Sequence, residues 1–347
     1  MTVNKRIGIL TGGGDCPGLN AAIRGVVRRL LPQGYSVVGL IDGWAGLLEN
    51  RTLELDYKSV SGILHVGGTI LRTSRTNVLK DEATIQKAFD RFKEMKLDGI
   101  VAIGGEGTLT VSAKLFDRGM PLIGAPKTID NDIGHTDFTF GFATAVEIAT
   151  EAIDRLHTTA ESHNRAMVIE VMGRHAGWIA TYSGIAGGAD VVIIPERPRP
   201  IEDVVKIINS RKERGKKFSI VVVAEGAKVL IDGKETGVAK DRKDPFGRPL
   251  LGGIGQFLAD EIEKRTGFES RVTVLGHVQR GGTPTASDRV LATTYGIYAG
   301  DLVLAGKWGM MPCLHGANMT SIPIAKAVEK LKTVPDRYIE ILQSLEG

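Results

Sequence analysis

Three short stretches hold the residue types best able to do chemistry. The first is Thr11-Gly12-Gly13-Gly14-Asp15-Cys16-Pro17-Gly18-Leu19-Asn20. Consecutive glycines let backbone N–H groups converge on phosphate oxygens, and a helix starting just after them adds positive field. No Gly-Lys-Ser/Thr follows, so this is not a Walker A loop, and Pro17 occupies the last glycine place of a dinucleotide fingerprint. The same residues also suit a plain tight β-to-α turn. The second stretch is Gly104-Gly105-Glu106-Gly107-Thr108. A carboxylate inside a glycine loop fits an anion site when a divalent cation bridges it to phosphates. It fits equally well as a dipole-favoured Glu at a helix start. The third is Pro126-Lys127-Thr128-Ile129-Asp130-Asn131-Asp132. If extended, it projects Thr128, Asp130 and Asp132 to one side. One carboxylate could then take the proton from an attacking hydroxyl while the other orders a metal-bound water. An Asx-type turn is the alternative, although turns do not need two acids on one face.

A fourth set is basic: Arg165, Arg174, Arg271, His277 and Arg280. Each arginine alone suits a solvated surface and His277 alone a structural role, but together they suit a phosphomonoester, which guanidinium forks bind well. The run Arg211 to Lys217 lacks interleaved aromatics and reads as a solvated face, so it does not argue for nucleic acid. His135, His157, His163 and His175 have no metal-ligand spacing.

The elements that must position these residues follow from periodicity. Ile7 to Thr11, Val37 to Ile41, Gly99 to Ile103 and Pro121 to Ala125 read as strands. So do Ala166 to Val171, Val191 to Ile194, Ile220 to Ala224 and Val272 to Leu275. Helical patterns run over Asn20 to Leu31, Asp81 to Lys96, Ala143 to Leu156 and Ile201 to Asn209. Leu230 to Gly253 is loop-rich and holds Pro245-Phe246-Gly247. This alternation predicts an α/β protein of two lobes, with parallel or mixed sheets and helices on both faces. In such sheets ligands bind beyond the carboxyl ends of the strands, where every cluster above falls.

With 347 residues, 42% hydrophobic and 24% charged, the chain can bury two such lobes. Its 44 glycines cluster without a period, which excludes collagen. A net charge of +4 is as easily explained by a phosphate pocket as by a nucleic-acid surface. Cys16 and Cys313 cannot form a disulfide framework. No membrane span or signal-peptide pattern is present in the sequence, so a cytoplasmic protein is expected.

Five ordered blocks together carry a resemblance. Gly13 to Asn20, Gly104 to Thr108, Lys127 to Asp132, Val171-Met172-Gly173-Arg174 and Gly276 to Gly282 resemble the bacterial 6-phosphofructokinases over nearly the whole chain. The resemblance implies a phosphofructokinase-like fold, with residues 1–141 plus about 279–329 as the donor and Mg-binding lobe. Residues of about 142–278 plus 330–347 form the fructose 6-phosphate lobe, with the active site between them. The implied reaction phosphorylates fructose 6-phosphate at the 1-hydroxyl, the committed step of glycolysis, with Mg²⁺ as cofactor. Asp130 resembles the general base, Asp132 its acidic partner, Thr128 a phosphoryl contact and Arg75 the arginine neutralising the transferring group. Gly14, Gly105, Glu106, Gly107, Thr108 and Lys127 resemble the donor site, with Glu106 as magnesium ligand where the common ATP enzymes carry Asp. Met172, Gly173, Arg174, Glu225, His277 and Arg280 resemble the sugar-phosphate pocket. Arg165 and Arg271 resemble arginines that reach it from a neighbouring subunit, implying a homodimer or homotetramer.

Two positions that report the donor in this family disagree here. Gly107 is ATP-type, since an Asp there would crowd the nucleotide's α-phosphate. Lys127 is pyrophosphate-type. Gly107 carries more weight, because a flexible lysine can swing aside, and the mixed pattern resembles the actinobacterial-type branch. Trp44 stands where the common ATP enzymes have a Tyr beside the adenine, and an indole can also flank a base. Arg24 and Arg28 share a helical face where allosteric members bind effectors, but His157 replaces a further arginine, so surface arginines are an equal reading. Two rivals remain from other classes. A non-catalytic sugar-phosphate binding protein would not need two aspartates beside a metal carboxylate. A dinucleotide-dependent dehydrogenase would need fingerprint glycines that are missing.

Overall fold

Strand β1 (Arg6–Gly12) starts the chain as an apolar run with Ile7, Ile9 and Leu10 fully buried. A strand covered on both faces needs such a run rather than alternation. The structure is a computed structural model that describes residues 5–236, 239–243 and 249–346. Pro245-Phe246-Gly247 lies outside the described residues. After β1 come α1 (Leu19–Leu30), β2 (Ser36–Leu40), α2 (Trp44–Glu49), β3 (Thr52–Leu55), α3 (Glu82–Glu94), β4 (Gly99–Gly104), α4 (Glu106–Asp117) and β5 (Leu122–Pro126). Asp81 starts α3 by accepting the Thr84 N–H at 2.7 Å, an ordinary carboxylate cap. These strands form one sheet in the order β3-β2-β1-β4-β5, parallel except for the antiparallel edge strand β3. From β1 the chain moves to β2 on one side and later returns to β4 on the other. The gap between β1 and β4 is therefore the switch point where such sheets open a ligand crevice.

Helix α5 (Phe142–His163) leads into β6 (Ala166–Val171), α6 (Trp178–Ala186), β7 (Val191–Ile193), β8 (Arg199–Pro200), α7 (Ile201–Glu213) and β9 (Ser219–Ala224). Short strands β10 (Val229–Ile231), β11 (Lys234–Thr236), β12 (Ala239–Lys243) and β13 (Pro249–Leu251) precede α8 (Ile254–Thr266) and β14 (Ser270–Val274). The second large sheet has the order β14-β6-β9-β7 and is parallel throughout. The chain ends with α9 (Ala286–Leu304), the hairpin β15 (Met310–His315) and β16 (Asn318–Pro323), α10 (Ile324–Ala327) and α11 (Asp336–Leu345).

The protein is thus an α/β protein with parallel and mixed sheets flanked by helices, as the alternation of apolar runs predicts. It divides into two compact units. One holds the residues up to Ile129 with Ile133–Thr144 and Arg280–Leu331. The other holds Asp130–Asp132, Ala145–Gln279 and the residues from Lys332 on. Among the described residues no helix is long and apolar enough to cross a membrane.

Candidate active site

In the first unit three loops leave adjacent strands at one level. Gly12 of β1 lies opposite Gly104 of β4, and Gly104 lies opposite Pro126 of β5. The two glycines face one side chain. Thr108, in the first turn of α4 and 6% exposed, rests against both, and a Cβ on either glycine would overlap it. Gly13 takes a left-handed φ of 78° that favours glycine. Its N–H donates to the Ser74 carbonyl at 3.2 Å, and its carbonyl accepts from Thr73 Oγ1 at 2.6 Å. Those two bonds fix the strap that carries exposed Arg75 beside the loop. Arg280 Nη1 donates to the Asp15 carbonyl at 3.1 Å, and a Cβ on Gly14 would come within 2.7 Å of that nitrogen. Arg280 counts with this unit, although the resemblance groups it with the sugar-phosphate residues.

Lys127 corrects an expectation. Its side chain does not swing: it is 2% exposed, with Nζ donating to the Gly12 carbonyl at 3.1 Å and to the Gly14 carbonyl. Its N–H donates to the Gly104 carbonyl at 3.0 Å. Buried loop carbonyls need donors and a buried ammonium needs acceptors, so each satisfies the other. Trp44 corrects a second. It is 2% exposed and packs among Leu10, Val38, Leu47 and Ile100 in the hydrophobic core, so its indole does not lie open to flank a base. The thiol of Cys16, fully buried in the glycine loop, is pushed up to about 12 by burial, against the opposing pull of the Lys127 charge.

Gly105, Glu106 and Gly107 are half-buried at the head of α4, which begins at Glu106. Among the described residues no three His, Cys, Asp or Glu side chains are grouped to hold a metal. A cation at Glu106 would therefore draw its other ligands from phosphate oxygens and water. That donor set suits Mg²⁺, which commonly binds through one or two carboxylates plus substrate phosphates. Thr128 is buried, and its carbonyl accepts from Thr139 Oγ1 at 2.8 Å. On the surface of α1, Arg28 lies with its guanidinium carbon 5.9 Å from the centre of the Tyr57 ring.

The segment Asp130–Asp132 belongs by its contacts to the second unit. All three residues are buried, and Asn131 has a left-handed φ of 52°. The backbone is therefore bent rather than extended, and strand alternation does not put Asp130 and Asp132 on one face. Asn tolerates this conformation at little cost, which is how the bend is made. Lys332 donates its N–H to the Asp132 carbonyl at 2.9 Å and its Nζ to Asn131 Oδ1 at 3.0 Å.

Arg174, Glu225 and His277 follow the carboxyl ends of β6, β9 and β14, which are neighbours in the second sheet. Arg174 has a φ of 52° and donates its N–H to Glu225 Oε1 at 3.2 Å. Glu225 donates its own N–H to the Val171 carbonyl at 2.8 Å. Gly226 lets the Arg174 carbonyl approach, because a Cβ there would overlap that oxygen. Met172 and Gly173 form the turn before Arg174, with Gly173 at φ 142°. His277 is exposed in the 3₁₀ turn Gly276–Arg280. Arg165 and Arg271 are not part of this group. They lie at the amino ends of β6 and β14, where both guanidinium groups meet Glu269, Arg165 at 2.9 Å.

Three residues that periodicity and motif reading did not single out hold these groups in place. Thr73 and Ser74 carry Arg75, and Lys332 holds the bent acidic segment. No local pattern marks them, because their partners are far away in sequence.

Comparison with known proteins adds a family. The model of the family described as phosphofructokinase matches residues 6–303. A pyrophosphate–fructose 6-phosphate 1-phosphotransferase of Amycolatopsis mediterranei is 55% identical over 96% of this chain and 98% of its own. A protein of Streptomyces coelicolor named ATP-dependent 6-phosphofructokinase 3 is 52% identical over 96% and 98%. The solved structure of Pichia pastoris phosphofructokinase in its T-state covers 99% of this chain and 37% of that longer one. It superposes with a TM-score of 0.82 at 31% identity.

Proposed function

The chain belongs to the phosphofructokinase family and acts on fructose 6-phosphate, and we propose that it phosphorylates the 1-hydroxyl with Mg-ATP as donor. We assign the donor to the loops of the first unit and the sugar phosphate to the second. The observation that carries the donor site is the level exit of three loops, at Gly12, Gly104 and Pro126. Loop amides near Gly14 and the α4 N-terminus would bind the phosphates, and Arg75 would neutralise the transferring group. Glu106 would hold Mg²⁺, which supplies positive charge to the donor phosphates. Asp130 would take the 1-hydroxyl proton as that oxygen attacks, with Asp132 as its acidic partner and Thr128 touching the phosphoryl group. Arg174, Glu225 and His277, with Met172 and Gly173, would bind the sugar phosphate. Positioning and electrostatics carry most of the work in such transfers. Arg165 and Arg271, at the other end of their strands, would serve the pocket of a second copy in a dimer or tetramer. We read the enzyme as cytoplasmic.

Two features support ATP. Gly107 puts no side chain in the way of an α-phosphate. Lys127 is spent on loop carbonyls rather than extended outward. Pyrophosphate is the second reading, favoured by the same lysine. Its fixed charge beneath Gly13 suits a compact, highly charged donor, and a Cβ on Gly13 would lie 3.9 Å from Nζ. The relative from Amycolatopsis mediterranei also bears that name. The test is a coupled assay with fructose 6-phosphate and Mg²⁺, running both donors at matched concentration. ATP should give the higher kcat/KM, and Gly107→Asp should cut ATP use about a hundredfold while leaving pyrophosphate use within a few-fold. Higher pyrophosphate turnover in the unmodified enzyme would overturn the ATP reading. Equal losses in the variant would overturn the steric argument.

A further inference from the structure

The segment carrying the proposed base is held from the far end of the chain. We propose that Lys332 is a positioning residue for the reaction, fixing the bend at Asp130–Asp132 through both its backbone and its ammonium group. The inference deepens the reading above, because its effect on turnover rests on Asp130 acting as the base.

The contacts on Lys332 form a short, continuous scaffold within the second unit. Its N–H meets the Asp132 carbonyl at 2.9 Å, and its Nζ meets Asn131 Oδ1 at 3.0 Å. Its own carbonyl accepts from Trp178 Nε1 at 2.9 Å. The ammonium also lies 5.1 Å from the centre of the Trp178 ring, within the range of a cation–π contact. Trp178, at the head of α6, is wedged against Tyr338 of α11 with ring centres 5.8 Å apart, and Tyr338 shares a 2.7 Å hydroxyl contact with Tyr182. The chain just past Lys332 is pinned too. Glu196 accepts the Val334 N–H at 2.9 Å and the Gly177 N–H at 2.9 Å, joining this stretch to the start of α6.

The physical need for the arm is visible in the bend itself. Asn131 sits at a left-handed φ, where its backbone cannot join a strand ladder, and its side chain is fully buried. Removing a donor from a buried amide or a buried carbonyl costs free energy that loosens the segment. Lys332 supplies a donor to each. The Trp178 ring bounds one side of the ammonium. A base must be held to a fraction of an ångström to meet the hydroxyl it deprotonates, so loosening this arm should lower kcat more than it weakens binding.

The test uses the full-length enzyme with its better donor. Lys332→Met keeps the aliphatic stem over Trp178 and removes the charge. It should lower kcat by about 10- to 100-fold while KM for fructose 6-phosphate changes by less than about threefold. Lys332→Arg, which can still donate to Asn131 and lie on the indole, should recover most of that loss. Amide hydrogen exchange across residues 128–134 should speed up by about fivefold or more in Lys332→Met, with β6 and β9 unchanged. If Lys332→Met does not fold, Trp178→Phe removes the indole N–H that donates to the Lys332 carbonyl and leaves a smaller ring beneath the ammonium, and should shift kcat and exchange the same way. Unchanged exchange in the segment overturns the tether. A raised KM with kcat intact overturns the positioning role in favour of direct substrate contact. If Asp130→Asn is inactive while Lys332→Met keeps its kcat, positioning is overturned and the base assignment stands. If both keep it, the base assignment falls and the positioning role with it.

Discussion

The glycine loops of the first unit and the acidic segment of the second solve the same problem with different materials. The loops present backbone, and three of their glycines lie against a particular side chain: Gly12 and Gly104 against Thr108, Gly14 against Arg280. Two of the partners that shape the loop wall are buried, the short Thr108 and the hydrogen-bonded Lys127. The acidic segment presents side chains instead. Its shape depends on a lysine brought from two hundred residues away, at a sequence separation of 201 from Asn131. Sterics shape the first region, although its partners also come from far along the chain, as Arg280 does to Asp15. In the second, buried charges and amides must be matched one by one by distant groups.

The largest effect should come from the second region. Asp130→Asn keeps the shape of a side chain that is 4% exposed and removes its capacity to take a proton. Turnover should fall by on the order of 10² or more, with fructose 6-phosphate binding largely kept, read by steady-state kinetics and by calorimetric titration. Near-normal turnover would mean that the acidic segment is structural, and the contrast between the two regions would lose its chemical half.

The first region should answer to volume rather than to charge. Gly104→Ala places a methyl group into the Thr108 side chain, which α4 holds in place. Overpacking of this kind should cost about 2 kcal/mol in urea unfolding. Adding Thr108→Gly should return part of it, since the Thr108 Cβ itself would lie 2.3 Å from the new methyl group and only its removal clears the space. A Gly104→Ala protein as stable as the parent, or a double variant no better than the single one, would show that glycine is not required there by packing.

What the sequence makes legible follows the same division. Strands covered on both faces read as apolar runs, so β1, β4, β5, β6 and β9 are recognisable from a few residues each. Glycine loops at their ends are equally visible, because the turn and the close approach both demand the same residue. Helix α9 has no such signal. It packs on α1 through glycines, where a Cβ on Gly25 would come within 2.7 Å of the Thr293 carbonyl, so close backbone contact replaces the apolar stripe that periodicity detects. The bend at Asn131 has no local signal either. The residues Lys127 to Asp132 look extended when read alone, and the left-handed φ at Asn131 goes with contacts to Lys332, 201 residues away. By type Trp44 could flank a base and Lys127 could swing toward a donor, yet both are consumed inside the unit by packing and by carbonyl acceptors. A sequence states a residue's chemistry but not whether its neighbours have already used it.

Cys16 gives the smallest effect and a fine test of how closed the glycine loop is. Its thiol carries the strongest nucleophile in that loop, but burial pushes it from an ordinary value of 9.0 to about 12 despite the nearby Lys127 and Arg280 charges. In the unfolded chain the thiol ionises near its ordinary value, so the folded protein binds this proton more tightly. The resulting stability is fully present below about pH 9 and is lost as pH rises toward the folded value of about 12. Between about pH 8 and about pH 10 the parent should lose about 1 kcal/mol more unfolding free energy than Cys16→Ala, with Cys313 common to both proteins. Native protein should also resist alkylation at Cys16 until it unfolds, since only the thiolate reacts. Equal alkaline slopes, or rapid labelling of Cys16 in the native state, would show that the loop opens to solvent on its own. The glycine-loop half of the comparison would then be as mobile as the tethered half.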